Sequence, residues 1–475
     1  MSAEPGLRLR SPMGRRLLAV TILGSGIAFL DGTVVNVAIP AIGRDLSAGF
    51  SGLQWVVDGY LLTLGSLVLL GGSLGDILGL RRTFLGGVIA FGVASAACAL
   101  APTTLALVIG RAVQGVAAAL LVPGSLAILS ATFHGEERGR AIGAWSGLAG
   151  VSTAVGPFLG GILVDHGSWR LVFLINAPLV VATVWLGWSS LPRDVRRTTG
   201  TQRIDLAGGI CCTAGLGLLV VGLIDGPRAG FGAPSTIGAL AGGAGLLLAF
   251  LVQESRSEQP MLPLGLFHSR NFTIANLCTL AVYGALSAAL FLVVLELQSV
   301  VGYSALAAGA SLTPITLLML LLSSRMGRLT GTLGPRPLMT AGPLIGAAGM
   351  LLFARIGPGV SYVDAVLPGA IVFGIGLSLT VAPLTTTVLS AVPAGRSGVA
   401  SGVNNAVARI GGLIAVAAVP LAAGLAAPSM SHTEFTDGFH RAMVISAVLC
   451  AIGGLVAWVG LRNLPARAPA PVGGA

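Results

Sequence analysis

Two charged residues stand where charge is expensive. Asp31 falls inside an apolar run over 17–39, and Arg111 inside another over 104–127. A carboxylate or guanidinium in the middle of a membrane helix costs about 2.5–3.5 kcal/mol on insertion scales. Such an acid persists only if it is paired, protonated or set in a wet cavity. Asp31 lies eight residues before the end of its run and Arg111 is the eighth residue of an oppositely directed one, so each sits about 12 Å from the outer side, at 1.5 Å per residue. Matched depth makes them a plausible pair. Arg does not readily lose its proton, so its charge is fixed. A fixed guanidinium favours the charged carboxylate, whereas burial favours the neutral one. The chemistry this allows is reversible proton binding on Asp31, with the ion pair breaking when the proton arrives. The alternative is a structural tie between two helices. Asp58 is either a second acid of this kind or an acid solvated at the outer mouth. Glu296, at the end of an apolar run, reads first as a solvated cap. Arg409, with Asn404 and Asn405 beside it, suits interhelical hydrogen bonding.

The elements that hold these residues follow from composition. The chain has 475 residues, 54% hydrophobic and 9% charged, with a mean hydropathy of +0.91. Soluble domains carry about 25% charged residues, which excludes a water-soluble enzyme or a disordered chain. Fourteen runs are long enough to cross a bilayer: 17–39, 53–71, 83–101, 104–127, 141–163, 171–190, 206–224, 235–252, 272–295, 305–322, 337–355, 362–385, 398–423 and 442–461. All 27 basic residues are Arg. A phosphate-binding loop that needs Lys is therefore absent, and Schiff-base chemistry is excluded. With the N-terminus in the cytoplasm, 20 Arg fall in cytoplasmic segments, five in outer loops and two within spans. That bias fits the positive-inside rule, places both termini in the cytoplasm and explains the net charge of +10 without a nucleic-acid partner. The expectation is an all-α polytopic protein of the cell membrane. No cofactor and no metal is expected. Cys98, Cys211, Cys212, Cys278 and Cys450 read as small buried hydrophobes, and His432, Glu434, Asp437 and His440 lack ligand spacing.

The sequence also repeats. GSLGDILGLRR at 72–82 aligns with GRLTGTLGPR at 327–336, so that Gly72 meets Gly327, Gly79 meets Gly334 and Arg81 meets Arg336. Asp76 meets Gly331. Val122-Pro123 and Ala382-Pro383 recur at a similar offset. The offset spans eight runs, as two six-span halves separated by two extra spans would give. The expected division is 1–190, 191–270 and 271–475. In the first copy Gly72, Gly75 and Gly79 permit tight turns or close helix approach. Asp76, Arg81 and Arg82 could pair with the opposite half and hold one state closed. Span 5 carries GxxxG pairs at Gly143/Gly147 and Gly156/Gly160, followed by Gly161, with a kink at Pro157. Gly156, Pro157, Gly160 and Gly161 read as close packing at a moving interface between halves.

The 72–82 loop resembles the signature between spans 2 and 3 of the major facilitator superfamily. LDGTVVNVAIP at 30–40, QWVVDGYLL at 54–62, RAVQGVAAA at 111–119, GLAGVSTAVGPFLGG at 147–161 and SWRLVFLINAP at 168–178 resemble, in order, signatures of its fourteen-span drug:proton antiporters. The resemblance implies two six-helix bundles plus two inserted spans, no nucleotide, and a monomer. It implies export of small hydrophobic or amphipathic compounds, cations among them, against an inward flow of protons. An importer on the same scaffold is the rival, and a membrane enzyme or receptor a second. Asp31, Arg111 and Asp58 would couple protons. Asp31, Asn36, Tyr60, Gln114, Tyr283 and Glu296 would line the substrate path.

Overall fold

The computed structural model describes residues 7–192, 204–393, 396–425 and 430–463. The linker 193–203 and the tail from 464, both assigned to the cytoplasm by the charge count, lie outside the described residues. Among the described residues the fold is all-helical, with fourteen segments long and apolar enough to span a membrane. In chain order the helices are α1 Pro12–Asp45, α2 Phe50–Leu78, α3 Leu80–Ala99, α4 Thr104–Thr132, α5 Gly135–His166, α6 Leu171–Leu174, α7 Asn176–Ser190, α8 Leu206–Ala229, α9 Pro234–Arg256, α10 Arg270–Ser299, α11 Ala305–Ser311, α12 Thr313–Leu333, α13 Pro335–Phe353, α14 Leu367–Ser390, α15 Ser397–Ala422 and α16 His432–Gly460.

Two spans are interrupted. The sixth breaks between α6 and α7 just before Asn176-Ala-Pro178, where proline cannot donate to the preceding turn. The tenth breaks between α11 and α12, with Pro314 at the new helix start. The turn-rich DGPRAGFGAPS is less disruptive than it reads. Helix α8 continues through Pro227 and stops at Gly230, whose φ of 89° suits glycine alone.

The internal repeat is visible in the backbone. Gly79 closes α2 and opens α3 at φ 100°, and Gly334 closes α12 and opens α13 at φ 79°. The aligned glycines thus make the same left-handed turn between two helices. Pro123 and Pro383 likewise lie inside α4 and α14.

The first six spans meet the last six along α2 and α15, from Gln54 to Leu69 against Gly402, and again at the end remote from the chain termini. There Gln54 Nε2 donates to the Val416 carbonyl at 2.7 Å, and Gln298 Nε2 to that of Val37 at 2.9 Å. Asp165 accepts from the backbone N–H groups of Ala305 and Leu306, at 2.9 and 2.8 Å, capping α11. Gly161 lies against the Leu306 backbone, and Gly309 against the Pro157 carbonyl, so closely that no Cβ would fit at either glycine. On the half of α5 nearer the termini, Gly139, Gly143 and Gly147 face open space. The α8–α9 hairpin packs beside α2 and α15. Its own two helices meet at Gly215 and Gly243, each facing the other's backbone.

Candidate functional site

Helix α4 is the platform. Arg111 and Gln114 are three residues apart and share a face. Arg111 donates from Nη1 to Asp31 Oδ2 of α1 at 2.5 Å and to Gln114 Oε1 at 2.7 Å; its Nε donates to the Val56 carbonyl of α2 at 3.2 Å. The guanidinium stacks over the Tyr60 ring at 4.2 Å, with the Phe173 ring 5.8 Å away. Cation–π stacking of this kind stabilises a desolvated Arg. Asp31 is fully buried and Arg111 is 2% exposed.

The second carboxylate oxygen is equally occupied. Asp31 Oδ1 accepts from Gln114 Nε2 at 2.8 Å and from Asn176 Nδ2 at 3.2 Å. Asn176 also donates to Ser95 Oγ of α3 at 2.9 Å, and Ser95 donates onward to the Phe173 carbonyl at 2.8 Å. Residues of α4 and α7 thus close on the carboxylate of α1, and α2 and α3 hold those residues in turn. The break between α6 and α7 has a structural consequence here, since Asn176 is the first residue of α7 and is fully buried. Arg111 and a proton would compete directly for the same carboxylate oxygen, Oδ2.

The pairing of Asp31 with Arg111, expected from depth alone, is present in the structure. Other placements differ from expectation. Asp58 and Glu296 are both fully buried, not solvated at an outer surface. Neither oxygen of Asp58 has a hydrogen-bond partner. Asp58 shares a helix face with Gln54, Leu61 and Gly65, all of which meet α15. Glu296 Oε1 accepts from Thr436 of α16 at 2.8 Å, while Oε2 is unpartnered. Tyr60 and Gln114, expected on the substrate path, instead pack around the ion pair. The Tyr60 hydroxyl donates to the Ala28 carbonyl at 3.2 Å. Asn36 and Tyr283 remain partly exposed on α1 and α10. Asn404 reaches across to α10, donating to Asn276 Oδ1 at 3.1 Å and to Thr279 Oγ1 at 2.7 Å.

The expected gating residues divide in two. Gly161 and Pro157 lie between the halves, but Gly156 and Gly160 pack on Thr33 and Val34 of α1, within their own half. Arg81 does not reach the opposite half through its Trp188 contacts: it donates to the Trp188 carbonyl of α7 at 2.7 Å and sits over that ring at 5.6 Å. Asp76 is exposed at the end of α2. Glu434 and Ser431 form a reciprocal capping box at the start of α16, which explains the acid in that loop.

Comparison with known proteins adds a second kind of observation. Residues 21–416 match the sequence profile of the Major Facilitator Superfamily. The chain is 35% identical to the tetracenomycin C resistance and export protein of Streptomyces glaucescens, over 87% of this chain and 76% of that protein. It is 37% identical to the multidrug resistance protein Stp of Mycobacterium tuberculosis, over 88% and 78% respectively. An auto-inhibited POT family peptide transporter has the same fold, with a TM-score of 0.69 at 16% identity, covering 96% of this chain and 99% of its own.

Proposed function

The chain belongs to the Major Facilitator Superfamily, as a multi-pass transporter of the bacterial cell membrane and not an enzyme, and from that premise we propose that it exports small hydrophobic or amphipathic compounds in exchange for protons. The names of its relatives support export of antibiotics and other drugs. The observation that carries proton coupling is the Asp31–Arg111 pair: a sealed carboxylate whose protonation and ion pairing are mutually exclusive.

In this reading the bundles over 1–190 and 271–475 rock about the site, with the inserted hairpin of 191–270 alongside. With the termini in the cytoplasm, as the Arg distribution predicts, the end joined by the α5–α11 contacts is the outer one. A proton arriving from outside, once that end opens, neutralises Asp31 and releases Arg111. The freed guanidinium then stabilises a different arrangement of α1 against α4. A differential contact of this kind is what biases one state over the other. Asp58, buried without a partner beside α15, is the second acid that exchange with water would titrate. One charge crossing 100 mV yields about 2.3 kcal/mol, enough for roughly fortyfold accumulation of a neutral solute per proton.

The test uses everted membrane vesicles from cells lacking their own exporters, energised by an acid interior and offered a panel of fluorescent lipophilic compounds. Accumulation inside the vesicles that collapses with the pH gradient is expected. Accumulation indifferent to the gradient contradicts proton coupling, and net release under it contradicts export.

A further inference from the structure

At the end of the protein that bears the termini, two acids far from Asp31, half-buried Asp205 and buried Glu254, lie close together. Asp205 is the N-cap of α8, and its Oδ1 accepts from the Gly208 N–H at 2.8 Å. Glu254 lies in the last turn of α9 and is 2% exposed. Its Oε2 accepts from the Leu262 N–H at 2.7 Å, pinning the loop that leads toward α10. Each carboxyl thus uses one oxygen for the backbone. The remaining oxygens, Asp205 Oδ2 and Glu254 Oε1, are both buried and have no partner. Both lie 2.7 Å from the position a Cβ on Gly208 would occupy, so at most twice that distance separates them. The missing side chain of Gly208 leaves the space in which they face each other.

Among the described residues no Arg or His nitrogen comes within salt-bridge distance of either carboxyl. Helix α2 presents Ser66, Leu67 and Leu70 to α8. The nearest titratable group on α8 is the buried thiol of Cys212. Arg256 and Glu258, just beyond Glu254, are exposed. Two facing carboxylates in such a place repel each other when both are charged. A single O–H between them satisfies both orphan oxygens, one as donor and one as acceptor.

We propose that Asp205 and Glu254 bind one hydrogen ion between them, forming an acid–carboxylate bridge that closes the base of the α8–α9 hairpin. The bridge ties the start of α8 to the end of α9. Because Thr213 of α8 donates to Ser66 of α2 at 2.9 Å, it also steadies the helix that carries Tyr60 and Asp58. Loss of the shared proton leaves two charges pushing the hairpin base apart.

The experiment follows thermal unfolding of the purified full-length protein in detergent from mildly acidic to alkaline pH, for wild type, E254Q and D205N. The Gln amide donates permanently to Asp205 and its carbonyl still accepts from Leu262, so E254Q mimics the bridged state. Wild type is expected to lose several degrees of melting temperature toward alkaline pH. E254Q is expected to match wild type in acid and to lose markedly less in alkali; D205N, whose Asn still caps α8, is expected to do the same. Infrared spectra at neutral pH should show a protonated-carboxyl band in wild type that either substitution removes. An alkaline loss unchanged in both variants, or no such band, overturns the proposal. Recovery of wild type at alkaline pH by sodium, magnesium or calcium ions, abolished in E254Q, overturns it in favour of a bound metal cation. No transport is measured, so this result stands or falls apart from proton-coupled export.

Discussion

Asp31 is fully buried and accepts three hydrogen bonds, and the acceptor and one of its donors each make a prediction. Asp31→Asn keeps an acceptor but leaves Arg111 charged and unpaired. Stripping one partner from a buried pair typically costs about 3–5 kcal/mol. We expect gradient-driven efflux to vanish, with a lowered melting temperature but retained binding of fluorescent substrates by the folded fraction. Full efflux in D31N contradicts the site. Asn176→Ala removes one hydrogen bond to a charged acceptor, worth about 1.5–3 kcal/mol. Efflux rates in energised cells should fall roughly tenfold or more, and Asn176→Asp should be worse than Ala, because a second carboxylate would face Asp31. The reverse order contradicts the assigned role. Asp31 and Arg111 were legible because a charge inside a long apolar run violates the composition around it. Asn176, Ser95 and Asp165 were not, since neutral polar residues and acids near helix ends are ordinary in such chains. Asp205 and Glu254 were missed for the same reason. A helix-terminal acid reads as solvated until a glycine on the same turn shows what it faces.

At the scale of helices, close approach decides what moves. Gly309 receives the Pro157 carbonyl where a side chain would stand, and Gly161 receives the Leu306 backbone. Neither contact can yield locally, because the obstructing atoms are main chain. Gly309→Val should therefore push α11 off α5 and disfavour the state in which the end remote from the termini is shut. A maleimide-reactive cysteine at Gly143, which faces open space in that state, should be labelled more slowly in G309V. Unchanged labelling would detach this contact from gating. By contrast, Gly243→Leu lies within the α8–α9 hairpin, against the Gly215 carbonyl and Leu219. Overpacking there should cost about 1–3 kcal/mol of stability, read as a lower melting temperature, with labelling at Gly143 unaltered. The spans and the paired turns at Gly79 and Gly334 followed from run length and repeat spacing. The breaks before Asn176 and Thr313 did not, since an apolar run stays apolar through a broken helix.

Across the whole molecule, the contacts between halves and the ion pair describe one conformation of a cycle. The end remote from the termini is held by main-chain contacts at α5–α11 and by the glutamines Gln54 and Gln298, while Asp31 is fully buried. A coupled exporter requires that its preference between two states depend on whether a proton is bound, and an ion pair on Asp31 that competes with the proton supplies that dependence. The direct test is proton counterflow in proteoliposomes carrying a pH-sensitive dye. A gradient of a transported fluorescent compound is imposed with no pH gradient at the start. Wild type should move protons opposite to the compound, and D31N should move none. Movement of the compound through wild type without protons, or equal proton flow through D31N, contradicts the account.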